Sequence, residues 1–293
     1  MLILISDAFA ADLPDRLAPL GEVTDDKSRV ADAEVVLIRS KTKATREYID
    51  GAPKLKYIIR GGVGLDNVDL VYAKEKGVRV ENTADASSIA VAELAMTLML
   101  GAINHVAVAH QGMAQGKFLK KELKRTELYK KTLGLIGIGR IGSAVAKRCK
   151  AFGMTVIAYD AYVKESDIAE LQPSLEDLVA KADILSLHTP LTDETRGILN
   201  TEILAKTKKG VVVVNTARGL VVDEAAMAEA LKAGQVACYA TDVWSSDPPP
   251  AECPILGAPH TLMTPHIGAS TAENMGRIGD IVVEKLTAYV KEG

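Results

Sequence analysis

The chain has 293 residues, 48% hydrophobic and 25% charged, with a formal net charge of −3. That length suits two domains, the composition excludes a disordered or low-complexity chain, and the charge gives no electrostatic case for nucleic acid or an anionic membrane as partner. Three scattered cysteines, Cys149, Cys238 and Cys253, fit free thiols in a reducing cytosol; neither they nor the 5 histidines have metal-ligand spacing, so no metal is expected.

The opening Met1-Leu-Ile-Leu-Ile-Ser-Asp7 is apolar but short and has no basic leader, so it reads as a buried strand and a cytoplasmic protein is expected. Strands at Leu2–Ile5, Val35–Ile38, Tyr57–Arg60 and Val78–Glu81 alternate with helical or turn-rich segments up to about residue 92. Such alternation implies a parallel sheet, whose ligands gather at the carboxyl ends of the strands. Two basic stretches sit where strands end, Arg39-Ser-Lys-Thr-Lys43 and Arg60-Gly-Gly-Val-Gly-Leu-Asp-Asn67. In the second, Gly61 and Gly62 are expected to free backbone N–H groups that hold an anion beside Arg60, whereas Lys41 and Lys43 read as solvated loop charge.

Ser88 to about Gly101 reads as a helix apolar nearly all round, which must be buried between domains or in a homodimer interface. The run Ile89–Ile103 is interrupted by Glu93 and Gly101 and reads as too short to span a membrane. In Lys117–Lys131, lysines interleave with Glu122, Leu123, Glu127 and Leu128, the pattern of a solvated amphipathic segment.

Thr132–Asp160 carries the most information. An apolar strand from Leu133 breaks into Gly137, Gly139 and Gly142, runs on as an amphipathic helix and returns as the strand Thr155-Val-Ile-Ala-Tyr159, ending in Asp160. Gly137 permits the turn, Gly139 lets backbone approach a pyrophosphate, and Gly142 lets helix pack on strand. The helix N-terminus faces the phosphates, and Asp160 accepts from ribose hydroxyls while repelling a 2′-phosphate, so NAD is expected over NADP. Further strands follow at Ile184–Leu187, Val211–Asn215, Ala237–Thr241 and Leu262–Thr264, which with the first two makes six. Their ends carry His188-Thr189-Pro190, Asn215-Thr-Ala-Arg218, Asp242 and His266.

Three groups here suit chemistry beyond cofactor binding. Arg218 leaves a four-valine strand at the ligand edge, where a guanidinium clamps a carboxylate. His266 opens a loop of small residues, and Asp247 is a carboxylate within reach of that imidazole, a pairing that favours its charged form and suits a general acid.

Five segments in order resemble the D-isomer-specific 2-hydroxyacid dehydrogenases, and among them the phosphoglycerate dehydrogenases: Arg60–Asp69, Lys131–Gly142, His188–Pro190, Val214–Gly219 and Pro265–Thr271. The resemblance implies an α/β protein of two doubly wound parallel-sheet domains. A Rossmann NAD-binding domain (93–269) would be inserted in a smaller flavodoxin-like substrate domain (1–92 plus 270–293). It implies catalytic roles for Arg218, Asp247 and His266. It places cofactor contacts at Arg140, Ile141, Asp160, Thr189, Pro190, Thr216, Ala217, Arg218, Asp242, His266, Gly268 and Ala269, and substrate contacts at Arg39, Arg60, Gly61, Gly62, Val63, Arg218 and His266. The implied reaction is NAD-dependent oxidation of 3-phosphoglycerate, which opens serine biosynthesis. Reduction of glyoxylate or hydroxypyruvate is the alternative for an unphosphorylated 2-hydroxy acid, and an NAD-sensing, corepressor-like binding protein is the alternative of another class. Two positions depart from the family pattern: Asp247 stands where Glu is usual, one methylene short of an easy bond to His266, and Val63 stands where threonine is frequent. The chain ends at Gly293, so a C-terminal regulatory domain and serine feedback are not expected.

Overall fold

The computed structural model describes residues 1–292, which form two units: Met1–Ala90 with the segment from Ala269 to the end, and Val91–Gly268. The first unit opens with β1 (Leu2–Ile5), α1 (Leu13–Leu17), β2 (Glu22–Thr24), β3 (Val35–Ile38), α2 (Arg46–Asp50), β4 (Tyr57–Arg60), α3 (Leu70–Glu75) and β5 (Arg79–Asn82). Its sheet has the order β2-β1-β3-β4-β5, parallel throughout. Successive residues of the strands fall on opposite faces, and both faces are covered. Leu2, Leu4, Val36 and Ile58 pack with Ile49 of α2 and Ala73 of α3. On the other face Ile3, Ile5, Leu37 and Ile59 pack with Leu13 and Leu17 of α1 and with Ile278, Val282 and Leu286. That double burial is why these strands are unbroken apolar runs. β2 and the one-residue offset of β5 depart from expectation; both are edge strands with polar residues and carry no such run.

Helix α4 (Ala84–Ile103) carries the chain from the first unit into the second. It starts four residues before the expected Ser88 and, by length and composition alone, is apolar enough to cross a membrane, which corrects the shorter reading; 61% of that window is buried within the protein. Ala92, Ala95 and Met99 enter the core of the second unit. His105, in the left-handed region at φ 53, ends α4 and starts α5 (Val106–Ala114). No helix or strand follows until Thr132, so the lysine-rich stretch is mostly exposed loop pinned by buried Leu128.

The second unit continues as β6 (Thr132–Ile136), α6 (Arg140–Ala151), β7 (Thr155–Tyr159), β8 (Glu170–Leu171), α7 (Leu175–Lys181), β9 (Ile184–Leu187), α8 (Thr201–Ala205), β10 (Val211–Asn215), α9 (Glu224–Lys232), β11 (Val236–Thr241) and β12 (Thr261–Met263). The final helix, α10 (Ala272–Glu292), belongs to the first unit. The sheet has seven parallel strands in the order β8-β7-β6-β9-β10-β11-β12, one more than expected, because the two-residue β8 is too short to show periodicity. From β6 the chain runs to one side and returns at β9 on the other, so the strand order reverses between β6 and β9. Ligands of open α/β sheets bind at such a reversal.

Candidate active site

The turn after β6 sits at that reversal, and each of its glycines has a distinct reason to lack a side chain. Gly137 has φ +91, and a Cβ there would lie 2.8 Å from the carbonyl oxygen of His188, which follows β9. A Cβ on Gly142 would stand 2.4 Å from the Gly137 carbonyl oxygen, so any side chain would push α6 off the turn. At Gly139 a Cβ would meet nothing, and the space it would enter borders the first turn of α6, where no side chain caps the helix. First-turn N–H groups beside an open approach suit a pyrophosphate. Arg140 and Ile141 supply that first turn, with Arg140 exposed.

Asp160, one residue past β7, accepts from the Ile138 N–H at 2.9 Å through one oxygen and from the Tyr162 and Val163 N–H groups at 2.9 and 3.1 Å through the other. Burial works against its charged form, but these backbone donors outweigh it and hold its pKa below the usual carboxylate value. The acid therefore binds the glycine turn at the position where the sequence leads one to expect a ribose contact. Asp160→Ala is expected to weaken both nicotinamide cofactors while raising the NADP-to-NAD ratio of kcat/KM by about tenfold or more. Steady-state comparison of the two cofactors checks this, and an unchanged ratio counts against the ribose role.

His188 seals the other side of the turn. Its Nε2 bonds Ser186 Oγ at 2.8 Å, and its Nδ1 is buried with no partner, although part of the residue's surface is accessible. Desolvation pushes its pKa down to about 3. An unfolded histidine protonates near 6.5, so between those values the unfolded chain binds more protons and stability falls as the pH falls. From pH 7 to 4 the loss at this residue amounts to roughly 3 kcal/mol. Denaturant titrations of His188→Gln should show a pH slope flatter by about that amount; an identical slope would mean the imidazole charges without unfolding. Thr189 and Pro190 follow, Thr189 half-buried and Pro190 exposed.

Next in the sheet, Asn215 ends β10 fully buried, and its side chain shapes the loop beyond. Its Oδ1 accepts from the Ala217 N–H at 3.0 Å, and its Nδ2 donates to the Arg218 carbonyl at 2.9 Å and to Tyr239 Oη at 3.2 Å. Thr216 Oγ1 is buried without a partner, a hydroxyl able to bond a cofactor laid along these strand ends. The half-buried Arg218 side chain donates from Nη1 to the Ala217 carbonyl at 2.6 Å. Gly219 then passes so close to the Trp244 backbone that a Cβ would lie 2.1 Å from its carbonyl carbon, tying the arginine loop to the loop that bears Asp247.

Beyond β12, His266 adopts the left-handed backbone conformation (φ 55). Its Nδ1 bonds Asp247 Oδ2, so the shorter acid does reach the imidazole. Trp244 Nε1 donates to the Thr264 carbonyl at 3.1 Å and braces the two loops. Asp242, only 2% exposed, accepts from Thr264 Oγ1 at 2.6 Å and from the Ile267 and Gly268 N–H groups at 2.8 Å each.

The remaining expected residues lie in the first unit. Ala269 accepts from Asn274 Nδ2 at 2.7 Å and from Arg39 Nη2 at 3.3 Å. The loop after β3 is fastened at that sheet's own point of reversal. Asp7, following β1, takes the Arg39 N–H at 2.6 Å and the Thr42 N–H and hydroxyl at 3.1 and 2.8 Å, while Asn67 Nδ2 donates to the Arg39 and Thr42 carbonyls at 2.6 Å each. Burial lowers the Arg39 pKa from its ordinary value, with Asp7 opposing.

The expected backbone anion nest at Gly61 and Gly62 is not formed. The Gly61 N–H donates to the Ile38 carbonyl and the Gly62 N–H to Thr83 Oγ1, both at 2.8 Å. Gly62 (φ +140) instead makes room for Arg60, whose Nη1 lies 1.6 Å from where a Cβ would be. Val63 accepts at its carbonyl from Asn82 Nδ2 at 2.5 Å, and its side chain brings no hydroxyl.

Asn215, Thr264, Trp244 and Asp7 shape the site without being expected from the sequence. Only Asn215 had a local signal, a strand-ending Asn with its acceptor two residues from a free N–H. The others act on segments far away in sequence. Among the described residues no group of His, Cys, Asp and Glu is arranged for a metal.

Residues 96–268 match the model for the NAD binding domain of D-isomer specific 2-hydroxyacid dehydrogenases. A hydroxypyruvate reductase of Thermotoga maritima is 48% identical over 259 residues, 88% of this chain and 85% of that protein. A D-3-phosphoglycerate dehydrogenase of Methanocaldococcus jannaschii is 45% identical over 301 residues, and there the chain spans 99% of itself but 57% of the relative. The crystal structure of D-lactate dehydrogenase from Aquifex aeolicus, complexed with NAD and lactic acid, superposes with a TM-score of 0.89 at 30% identity, covering 100% of this chain and 96% of that one.

Proposed function

Since the chain belongs to the D-isomer-specific 2-hydroxyacid dehydrogenase family, with NAD as its cofactor, we propose that it oxidises a phosphorylated three-carbon 2-hydroxy acid, 3-phosphoglycerate, at C2. The observation that carries the dehydrogenase chemistry is the His266–Asp247 pair beyond β12, with Arg218 at the end of β10 in the same unit.

The residues that would hold the cofactor are the Gly137–Gly142 turn, Asp160, Thr216 and the His188–Pro190 segment. When bound, the nicotinamide supplies the acceptor for the hydride from C2. With its Nδ1 on Asp247, His266 keeps Nε2 for the reaction: the neutral ring takes the hydroxyl proton there, and in the reverse direction the protonated ring returns it. Arg218 holds the substrate carboxylate and stabilises charge developing on the C2 oxygen. Asp247 keeps the imidazole in one tautomer and orientation.

Arg39 and Arg60 support the phosphorylated substrate, because Arg39 follows β3 and Arg60 ends the adjacent β4 of the same sheet, with Ile38 paired to Arg60. Two guanidiniums at neighbouring strand ends suit a dianion. Hydroxypyruvate reduction is the second reading, favoured by the 48% identity to a reductase of similar length. Initial rates with 3-phosphoglycerate and NAD, and with hydroxypyruvate or glyoxylate and NADH, decide between them. The phosphorylated substrate should give the higher kcat/KM, and Arg60→Gln should reduce it selectively. A reductase preference untouched by Arg60→Gln would replace the first reading with the second, and no turnover of any acid, despite NAD binding, would favour a NAD-sensing protein.

A cytoplasmic protein is part of the proposal, supported by three free thiols, and so is a homodimer, supported by the exposed apolar side chains Val106, Val108, Met113 and Phe118. Light scattering showing a monomer would remove the dimer.

A further inference from the structure

We propose that Asp242 is a positioning residue for the proton-transfer step: it clamps the backbone on both sides of His266 and so sets the imidazole against Asp247. This rests on the reading of His266 as the proton carrier. Asp242 reaches one donor two residues before His266, Thr264 Oγ1, and the two N–H groups immediately after it, those of Ile267 and Gly268. Three of a carboxylate's four or so acceptor positions are thereby taken, in a residue only 2% exposed.

The clamped residue is the one that needs holding. His266 sits at φ 55, a conformation that a residue with a Cβ adopts reluctantly and keeps only where its surroundings dictate it. Asp242 is itself fixed, since its N–H donates to the Asn215 carbonyl at 3.0 Å, and the Thr264 N–H donates to the Thr241 carbonyl at 3.0 Å. The clamp leaves little slack, because a Cβ on Gly268 would lie 3.0 Å from Asp242 Oδ2. A cofactor-contacting role alone would not call for three bonds to one short loop.

The test is Asp242→Asn in the whole protein. An amide accepts at one end only, so its NH2 must face either the Gly268 N–H or the Thr264–Ile267 pair, and one side of the clamp opens. The expected result is a kcat lower by about tenfold to a hundredfold, with a loss of NADH affinity clearly smaller than the loss in kcat. In addition, the imidazole 15N signal assigned to His266, identified by its loss in His266→Gln, should move. Thr264→Val removes a single donor and should give the same changes in smaller measure, which keeps the test open if the amide variant does not fold.

Two results would overturn the clamp: kcat and the imidazole signal unmoved in the variants, or NADH affinity falling tenfold while kcat holds, which would make Asp242 a cofactor ligand. If His266→Gln itself keeps full turnover, the proton-carrier reading fails, and an unmoved signal would still defeat the clamp by itself.

Discussion

His266→Gln should lower kcat by about three orders of magnitude, within the range that a positioned general acid–base contributes. The reason lies in which nitrogen is left for the reaction. Asp247 occupies Nδ1, so the transferable proton belongs to Nε2, and glutamine offers an amide that neither takes nor releases a proton at neutral pH. NADH binding should change by less than about threefold, because the glycine turn, Asp160 and Thr216 are untouched. Stopped-flow hydride transfer and a fluorescence titration with NADH separate the two quantities. Equal losses in both would make the histidine a cofactor ligand and remove it from proton transfer.

The second large effect is expected for Arg218→Lys, a loss of about a hundredfold to a thousandfold in kcat/KM for the 2-hydroxy acid. The charge is kept, so the loss measures geometry. A guanidinium presents a planar fork to a carboxylate, whereas an ammonium is a point charge on a flexible stem. The loop makes that fork dependable, since Asn215 grips the Arg218 carbonyl and the Ala217 N–H, and Gly219 packs flush on the Trp244 backbone. A loss below about tenfold would mean that Arg218 serves mainly as local charge and the carboxylate is held elsewhere.

Much of the second unit was legible because each of its parts has a local physical requirement. A strand buried on both faces must be an unbroken apolar run, and Val211–Asn215 is one. A turn at φ +91 with a carbonyl 2.8 Å from the missing Cβ must carry glycine, and Gly137 does. The Gly61–Gly62 segment shows where the same logic fails. Glycine marked a place where backbone comes close, but what approaches Gly62 is the chain's own Arg60 side chain, and the Gly61 and Gly62 N–H groups are engaged within the unit.

The two parallel sheets, the site of the cofactor turn and the order in which polar groups leave the strands are all written locally in the chain. All of these follow from periodicity, burial and backbone freedom within a few residues. Packing of the folded chain settled which groups meet: Asp242 with Thr264 and Gly268, Asp7 with Arg39 and Thr42, His266 with Asp247 despite the shorter acid. It also decided the edge strands β2 and β8, which exist because a neighbouring strand offers them partners. A hydrogen bond depends on tenths of an ångström between loops that leave different strands, and that distance is set by how the layers pack, which no local run of residues encodes.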